Sequence, residues 1–357
     1  MTGRPWILVA AALAVALVGS ATTLELYFID VEGGQATLIV IPGGETLLVD
    51  SGYAGRGTFQ SRPSNPRQAR DAQRIAATAR GAGVKRIDYL LVTHFHQDHD
   101  GGVPELAQLM PIGTFIDHGT VPAEAERTVA GALDAFRAYS ATRDKGRHLE
   151  PHPGDRLPIK GAEVIVVSSA GATIANSLPL AGQANPACAP SELAAAESTE
   201  NPRSTGIVLE FGQFRFLDLG DLTGRPLYNL VCPTNQVGSV DIYLVAHHGG
   251  RDAADPATLA AFRPRVAVLN NGAVKGGDPE MFTVLRTAQV PEVWQLHRAQ
   301  KQDAANFPGD QIANLDESTT YGIRVSANRD GSFLVRNERT GFVRRFPARA
   351  AEDLRRK

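Results

Sequence analysis

The chain reads as an α/β (α+β) protein, an αββα sandwich in which two mixed β-sheets are flanked by helices. Two observations point there. After residue 21, short runs rich in β-branched and apolar residues alternate with stretches of helical periodicity, an order that suits stacked layers better than a bundle. In addition, about 335 residues follow that point without a repeat or a long flexible linker, enough for one large core.

In chain order, residues 24–30 and 36–41 read as a hairpin opening one sheet, with 45–49 next to it. Residues 68–82 have the period of an amphipathic helix. Strands follow at 86–93 and 114–117, separated by a helical stretch at 103–110, and residues 123–142 read as a further helix. Four more strands fall at 163–168, 206–211, 215–219 and 241–246. Helix 258–262, strand 266–270 and helix 279–288 continue the alternation. Residues 321–327 and 332–337 flank Asp330-Gly331, a hairpin signal. Loop insertions are expected near 55–65 and 168–200, either bordering a substrate cleft or as plain surface loops.

Chemistry concentrates in His94-Phe95-His96-Gln97-Asp98-His99, which holds three of the nine histidines directly after an apolar strand. That is the composition of a two-metal site. Continued extended geometry puts His94 and His96 on one side, facing one ion. Asp98 and His99 follow where the chain must turn, which aims them at a second, and Asp100-Gly101-Gly102 then leads into the helical stretch. Imidazole with carboxylate suits zinc best, with manganese or iron as alternatives.

The spacing His-x-His-x-Asp-His at 94–99 resembles the signature of the metallo-β-lactamase superfamily. Three further stretches are similar to that family: 45–52, ending in Asp50-Ser51-Gly52; 214–221, ending in Gly220-Asp221; and 240–250, containing His247-His248-Gly249. The resemblance implies the metallo-β-lactamase fold and a role for each residue. His94 and His96 would hold the first ion, Asp98, His99 and His248 the second. Asp221, with two carboxylate oxygens, would bridge them. Asp50 would fix a ligand imidazole in one tautomer. One departure stands out: no His occurs between 200 and 209, where many members carry another ligand. The Asn201-x-x-Ser204 pattern instead resembles the branch containing the soluble hydrolase domain of the bacterial DNA-uptake competence channel. Asn201 is then a weak oxygen ligand, a hydrogen-bond partner of the bridging hydroxide, or simply a turn cap before the next strand.

Two divalent ions would lower the pKa of a shared water to about 7 and so supply hydroxide at neutral pH. Auxiliary candidates are His247, as proton donor or phosphate contact, and His118, at the end of the next strand. Residues 270–272 and 294–297 are candidate cleft lining, whereas His148 and His152 read as solvated.

At the N-terminus, Arg4, an apolar run over 6–18 and Gly19-Ser20-Ala21 form a secretory signal peptide, cleaved after Ala21. The run is short beside the roughly 20 residues of a spanning helix, and a retained anchor is the rival reading. The expected location is secreted or periplasmic, with no stable membrane contact after cleavage. Cys188 and Cys232 suit a disulfide in an exported chain; metal ligation and two separate thiols are the alternatives.

Lys+Arg 36 against Asp+Glu 38 gives a net charge of −2, and aromatics make up only 6%. Neither a basic field nor a stacking platform for nucleic acid is present. Nucleic acid as partner is therefore implied by the resemblance alone. Arg344-Arg345 and Arg355-Arg356-Lys357 read as a frayed basic tail. The expected function is an exported metal-dependent hydrolase acting on a small-molecule phosphodiester or other phosphoester. Amide, lactone or thioester hydrolysis is the second reading, with β-lactam disfavoured by the missing His. The third is a non-catalytic metal-binding module. The sequence fixes no oligomeric state.

Overall fold

A computed structural model of the protein describes residues 22–55, 69–121, 129, 131–188 and 199–349. The expected signal peptide, most of the 55–65 insertion, the start of the 123–142 helix and Arg355-Arg356-Lys357 lie outside the described residues.

Apolar side chains at alternate positions of each strand must be buried on one face and covered on the other. Two sheets satisfy this. The first has nine strands, in the order Val343–Phe346, Phe333–Asn337, Ile323–Ala327, Leu24–Phe28, Thr37–Val40, Thr46–Val49, Ile87–Leu91, Ile112–Ile116 and Arg147–Leu149. Neighbours are antiparallel as far as Thr46–Val49 and parallel beyond it. The second has eight: Ile312–Asn314, Glu292–His297, Val266–Leu269, Ile242–Leu244, Phe214–Asp218, Gly206–Phe211, Glu163–Ser169 and Ala172–Thr173. Here the first five are parallel and the rest antiparallel.

Three apolar layers result. Leu24, Leu26 and Phe28 of the first sheet meet Phe214, Phe216 and Trp294 of the second in the central core. Ile75, Leu106 and Tyr139 bring helices Arg70–Gly81, Val103–Leu109 and Ala132–Arg143 onto the outer face of the first sheet. Leu227, Phe262 and Phe282 do the same for helices Gly224–Val231, Pro256–Phe262 and Pro279–Thr287 on the second. The order is αββα with two mixed sheets, the metallo-β-lactamase fold. No helix among the described residues is long and apolar enough to cross a membrane.

Several expectations need correction. Arg344 and Arg345 are not frayed: they sit on the edge strand Val343–Phe346, where Phe346 stacks on Phe333 and covers the end of the core. His148 is not solvated but holds Asp117 at 2.9 Å. Trp294 belongs to the central core, and His297 is buried against Asp30 Oδ1 at 2.7 Å, so 294–297 do not line an open cleft. Strand 86–93 ends at Leu91, because Asp50 takes both the amide and the hydroxyl of Thr93 and bends the chain away from its neighbours. A disulfide joins Cys188 to Cys232, tying the 168–200 insertion to the end of helix Gly224–Val231.

The layering decides where chemistry happens. Parallel strands of both sheets end at one rim: Thr46–Val49 runs into Asp50, Ile87–Leu91 into the histidine cluster, and Ile112–Ile116 into His118. From the other sheet, Phe214–Asp218 leads to Asp221 and Ile242–Leu244 to His247 and His248. Carboxyl ends of strands are where such sheets bind ligands.

Candidate metal centre

Beyond Leu91 the chain bends through His94 and Phe95 and then makes one helical turn, Gln97–Asp100, so Asp98 and His99 project from a short helix rather than a loop. His94 does not continue the strand. Even so, His94 Nε2 and His96 Nδ1 meet at 2.9 Å, as the pairing on one ion requires.

Six donors gather in two sets. Asp98, His99, Asp221 and His248 form one; His94, His96 and Asp221 form the other. In the larger set, Asp98 Oδ2 lies 3.1 Å from both His99 Nε2 and His248 Nε2. Asp221 Oδ2 lies 3.1 and 3.2 Å from the same two nitrogens, which are 3.3 Å apart. Tetrahedral zinc with bonds of about 2.0–2.1 Å spaces its ligands by roughly 3.3 Å, so this set has the dimensions of a metal cage. Asp221 joins the sets through one oxygen, not two. Its Oδ2 also lies 3.8 Å from His94 Nε2, while Oδ1 has no hydrogen-bond partner.

The donor chemistry also fits a cation. All six side chains are essentially buried except His96, which is partly so. Imidazole nitrogens that point at one another share no proton comfortably, and His96 Nε2 has no partner either. Burial, aided by the neighbouring imidazoles, holds His94 well below its ordinary value, and burial likewise lowers His96. Both are therefore neutral and can offer lone pairs. Burial alone would raise Asp98, but Lys275 and His99 overcome it and hold the carboxyl well below the usual range. Asp221 behaves the same way through His248 and His99. Burial would lower His99 as well, but Asp221 and Asp98 raise it well above its ordinary value, so in the larger set a cation would displace a proton from among buried carboxylates. Carboxylates converging with imidazoles suit a divalent ion.

A supporting layer orients the donors. Asp50 Oδ2 accepts from His99 Nδ1 at 2.7 Å, which leaves His99 Nε2 facing the carboxylates. Thr93 Oγ1 donates to the same Asp50 oxygen at 2.8 Å and lies 3.1 Å from His94 Nδ1. Asp218, behind Asp221, accepts from Gln35 Nε2 at 3.0 and 3.1 Å, and burial pushes its carboxyl up to about 7. Three non-glycine residues adopt left-handed backbone here: Asp50 at φ 60°, His247 at 50° and His248 at 54°. Such strain collects at sites where side-chain aim matters more than backbone comfort. Gly220 allows the two halves to meet, since a Cβ there would stand 2.7 Å from that of Thr93.

The auxiliary candidates separate. His247 is beside the centre, with Nε2 3.7 Å from Asp221 Oδ2 and Nδ1 2.7 Å from Asp252 Oδ1. Burial would lower it, yet Asp221 and Asp252 raise it to about 9. His118 is not among the donors: its Nε2 lies 2.9 Å from Glu200 Oε2. The Oδ1 of Asn201 is buried and has no hydrogen-bond partner, so it caps no turn. Asn270 sits behind the rim and donates to Gln35 Oε1 at 3.1 Å.

Lys275 escaped the sequence reading. Its ammonium contacts Asp98 Oδ2 and lies 3.4 Å from His248 Nε2. The signal was present in Gly272-Ala273-Val274-Lys275-Gly276-Gly277, a glycine-rich turn following the strand Val266–Leu269. Glu200, the partner of His118, was missed because nothing in its local spacing marks it.

Residues 29–175 match the family model described as the metallo-beta-lactamase superfamily. Two curated relatives, both named atrochrysone carboxyl ACP thioesterase and both from Aspergillus fumigatus, are similar over shorter stretches. One is 28% identical over 124 residues, 35% of this chain and 26% of the relative. The other is 35% identical over 78 residues, 22% of this chain and 20% of the relative. The chain thus spans only 26% and 20% of the length of these two relatives. Among solved structures, the metallo-beta-lactamase fold protein YhfI from Bacillus subtilis aligns with a TM-score of 0.45 at 11% identity, covering 77% of this chain and 96% of that one. CmlA, a diiron beta-hydroxylase from Streptomyces venezuelae, gives 0.44 at 15%, covering 77% and 53%. The stretch 29–175, which carries the histidine cluster and Asp50, is thus similar to the metallo-β-lactamase superfamily.

Proposed function

We propose that the protein is an exported metal-dependent hydrolase with a binuclear centre, zinc being the best fit to its donors, and that it cleaves a phosphoester. The observation that carries this reading is Asp221 Oδ2 standing between two donor sets. His94 and His96 would hold one ion, Asp98, His99 and His248 the other, with Asp221 common to both. Bound there, two divalent ions supply a hydroxide at neutral pH and neutralise charge developing on the substrate.

The chain's own residues do the rest. Asp50 keeps the His99 ring fixed with Nε2 inward. His247, raised to about 9, carries a proton at Nε2 at neutral pH and is placed to give it to a leaving group. An open groove of about 370 Å³ adjoins the centre and is bordered by His247, Arg251, Lys275 and Lys301 against two carboxylates, Asp252 and Asp278, which pair with His247 and Lys301. That excess of cations supports an anionic substrate, as a phosphoester is. The similarity to the two thioesterases supports thioester hydrolysis as a second reading. Export is supported by the N-terminal apolar run and by the Cys188–Cys232 disulfide, a bond typical of oxidising compartments.

The test is turnover of bis(p-nitrophenyl) phosphate, nitrocefin and a thioester by the zinc-loaded chain, beside Asp98→Ala. Phosphodiester cleavage reduced roughly 100-fold or more in the variant is expected. Cleavage confined to the thioester moves the assignment to the second reading. No turnover of any of them with two zinc ions bound contradicts the hydrolase.

A further inference from the structure

The segment just before strand Gly206–Phe211 gathers polar atoms that are buried and unpaired. Among the described residues, Glu200 Oε1, Asn201 Oδ1, Arg203 Nε and Ser204 Oγ have no hydrogen-bond partner, and neither has Nδ1 of His118, whose other nitrogen faces Glu200. Such atoms are few in a native interior and each one costs stability, so their concentration on one turn calls for a reason. This turn opens the stretch 200–209, in which the sequence offers no histidine.

Glu200 is the member of the group that reaches the metal centre. Its side chain is buried, and Oε2 accepts from the Phe95 N–H at 3.4 Å while lying 2.9 Å from His118 Nε2. Oε1 lies 3.2 Å from Arg203 Nε. Phe95 stands between His94 and His96, the two imidazoles of the smaller donor set. The carboxylate therefore grips the backbone that links them.

Both ends of this grip are fixed. Thr205 N–H donates to the Thr93 carbonyl at 2.8 Å and Arg203 Nη2 to the Thr120 carbonyl at 3.2 Å, which ties the Glu200 turn to the ends of two strands. The Phe95 ring packs on His118, Phe136 and Tyr139, with centroids 4.4, 4.6 and 5.7 Å away. His96 itself has little else to aim it: among the described residues its Nδ1 meets only His94 and its Nε2 has no partner. Its direction is thus set by the backbone. In the larger set Asp50 holds His99 by direct contact; Glu200 does the equivalent for the smaller set through the main chain.

We propose that Glu200 is the positioning residue of the first ion. By clamping the Phe95 amide it makes His94 Nε2 and His96 Nδ1 converge, and without it the centre keeps only the ion of the larger set. This rests on the two-ion part of the hydrolase reading and not on its substrate.

The experiment is zinc titration calorimetry of the chelator-stripped full chain, comparing wild type with Glu200→Ala, Glu200→Asp and Glu200→Gln. Glu200→Ala should weaken one zinc equivalent by about 10–100-fold and leave the other unchanged. Glu200→Asp keeps the charge but is one methylene short of Phe95, and should fall with Glu200→Ala. Glu200→Gln keeps an acceptor at full reach and should stay within about threefold of wild type. In a His96→Ala chain, where the first ion has already lost a ligand, adding Glu200→Ala should leave the remaining equivalent as it was; a role in general stability would lower it. Circular dichroism checks folding, and should Glu200→Ala not fold, the contrast between Glu200→Asp and Glu200→Gln decides. Unchanged affinity at both equivalents in Glu200→Ala, or an equal loss at both, overturns the inference. So does Glu200→Asp binding as wild type, or Glu200→Gln binding as poorly as Glu200→Ala. Two zinc ions on the wild type would then leave the binuclear reading standing, whereas a wild type that binds one or none overturns both.

Discussion

The centre depends on residues that never touch a metal donor's lone pair, and Asp50 is the clearest of them. It is fully buried, in left-handed backbone, and holds His99 Nδ1 as well as both polar groups of Thr93. Removing it frees the His99 ring to rotate or change tautomer. Asp50→Ala should weaken zinc binding by about 10–100-fold, read by competition with a chelating dye; an affinity equal to that of wild type would mean that packing alone orients His99. At this scale the sequence was highly legible. Every donor in the two sets, and Asp50 behind them, stood in a motif of fixed spacing. Lys275 and Glu200 did not, because their roles arise from turns that bring distant chain together: Lys275 lies 177 positions from Asp98, and Glu200 lies 82 from His118.

Among the elements, the insertion at 168–200 carries most of what could not be read. The strand pair Glu163–Ser169 and Ala172–Thr173 opens it, and hydrogen bonds from Leu178, Gly182 and Asn185 N–H to the Gln236, Asn235 and Pro233 carbonyls lay it along the segment after helix Gly224–Val231. The disulfide closes it. With a sequence separation of 44, the Cys188–Cys232 bond should contribute about 4 kcal/mol on the chain-entropy model. Urea unfolding of Cys188→Ser/Cys232→Ser beside wild type measures this. A change under about 1 kcal/mol would show that the hydrogen bonds hold the segment unaided. Short edge strands such as Arg147–Leu149 and Ile312–Asn314 were invisible for a related reason: three residues give too little periodicity, and their pairing is fixed by the neighbouring sheet rather than by local pattern.

For the molecule as a whole, two sheets built from distant halves of the chain place their carboxyl ends at one rim, and the donors follow from that closure. The αββα order was readable because strand and helix periods alternate along the chain; the position of the C-terminal strands was not. Ile323–Ala327 pairs with Leu24–Phe28, a contact between the two ends of the described chain that local sequence does not encode. The same closure makes Asp221 the meeting point of the two donor sets, and this is the claim on which the function stands. Elemental analysis of the purified chain and of Asp221→Ala, after equilibration with zinc and removal of the excess, tests it most directly. Two zinc ions per wild-type chain and loss of both in the variant are expected; a variant that keeps both, or a wild type that binds none, refutes the shared role of Asp221.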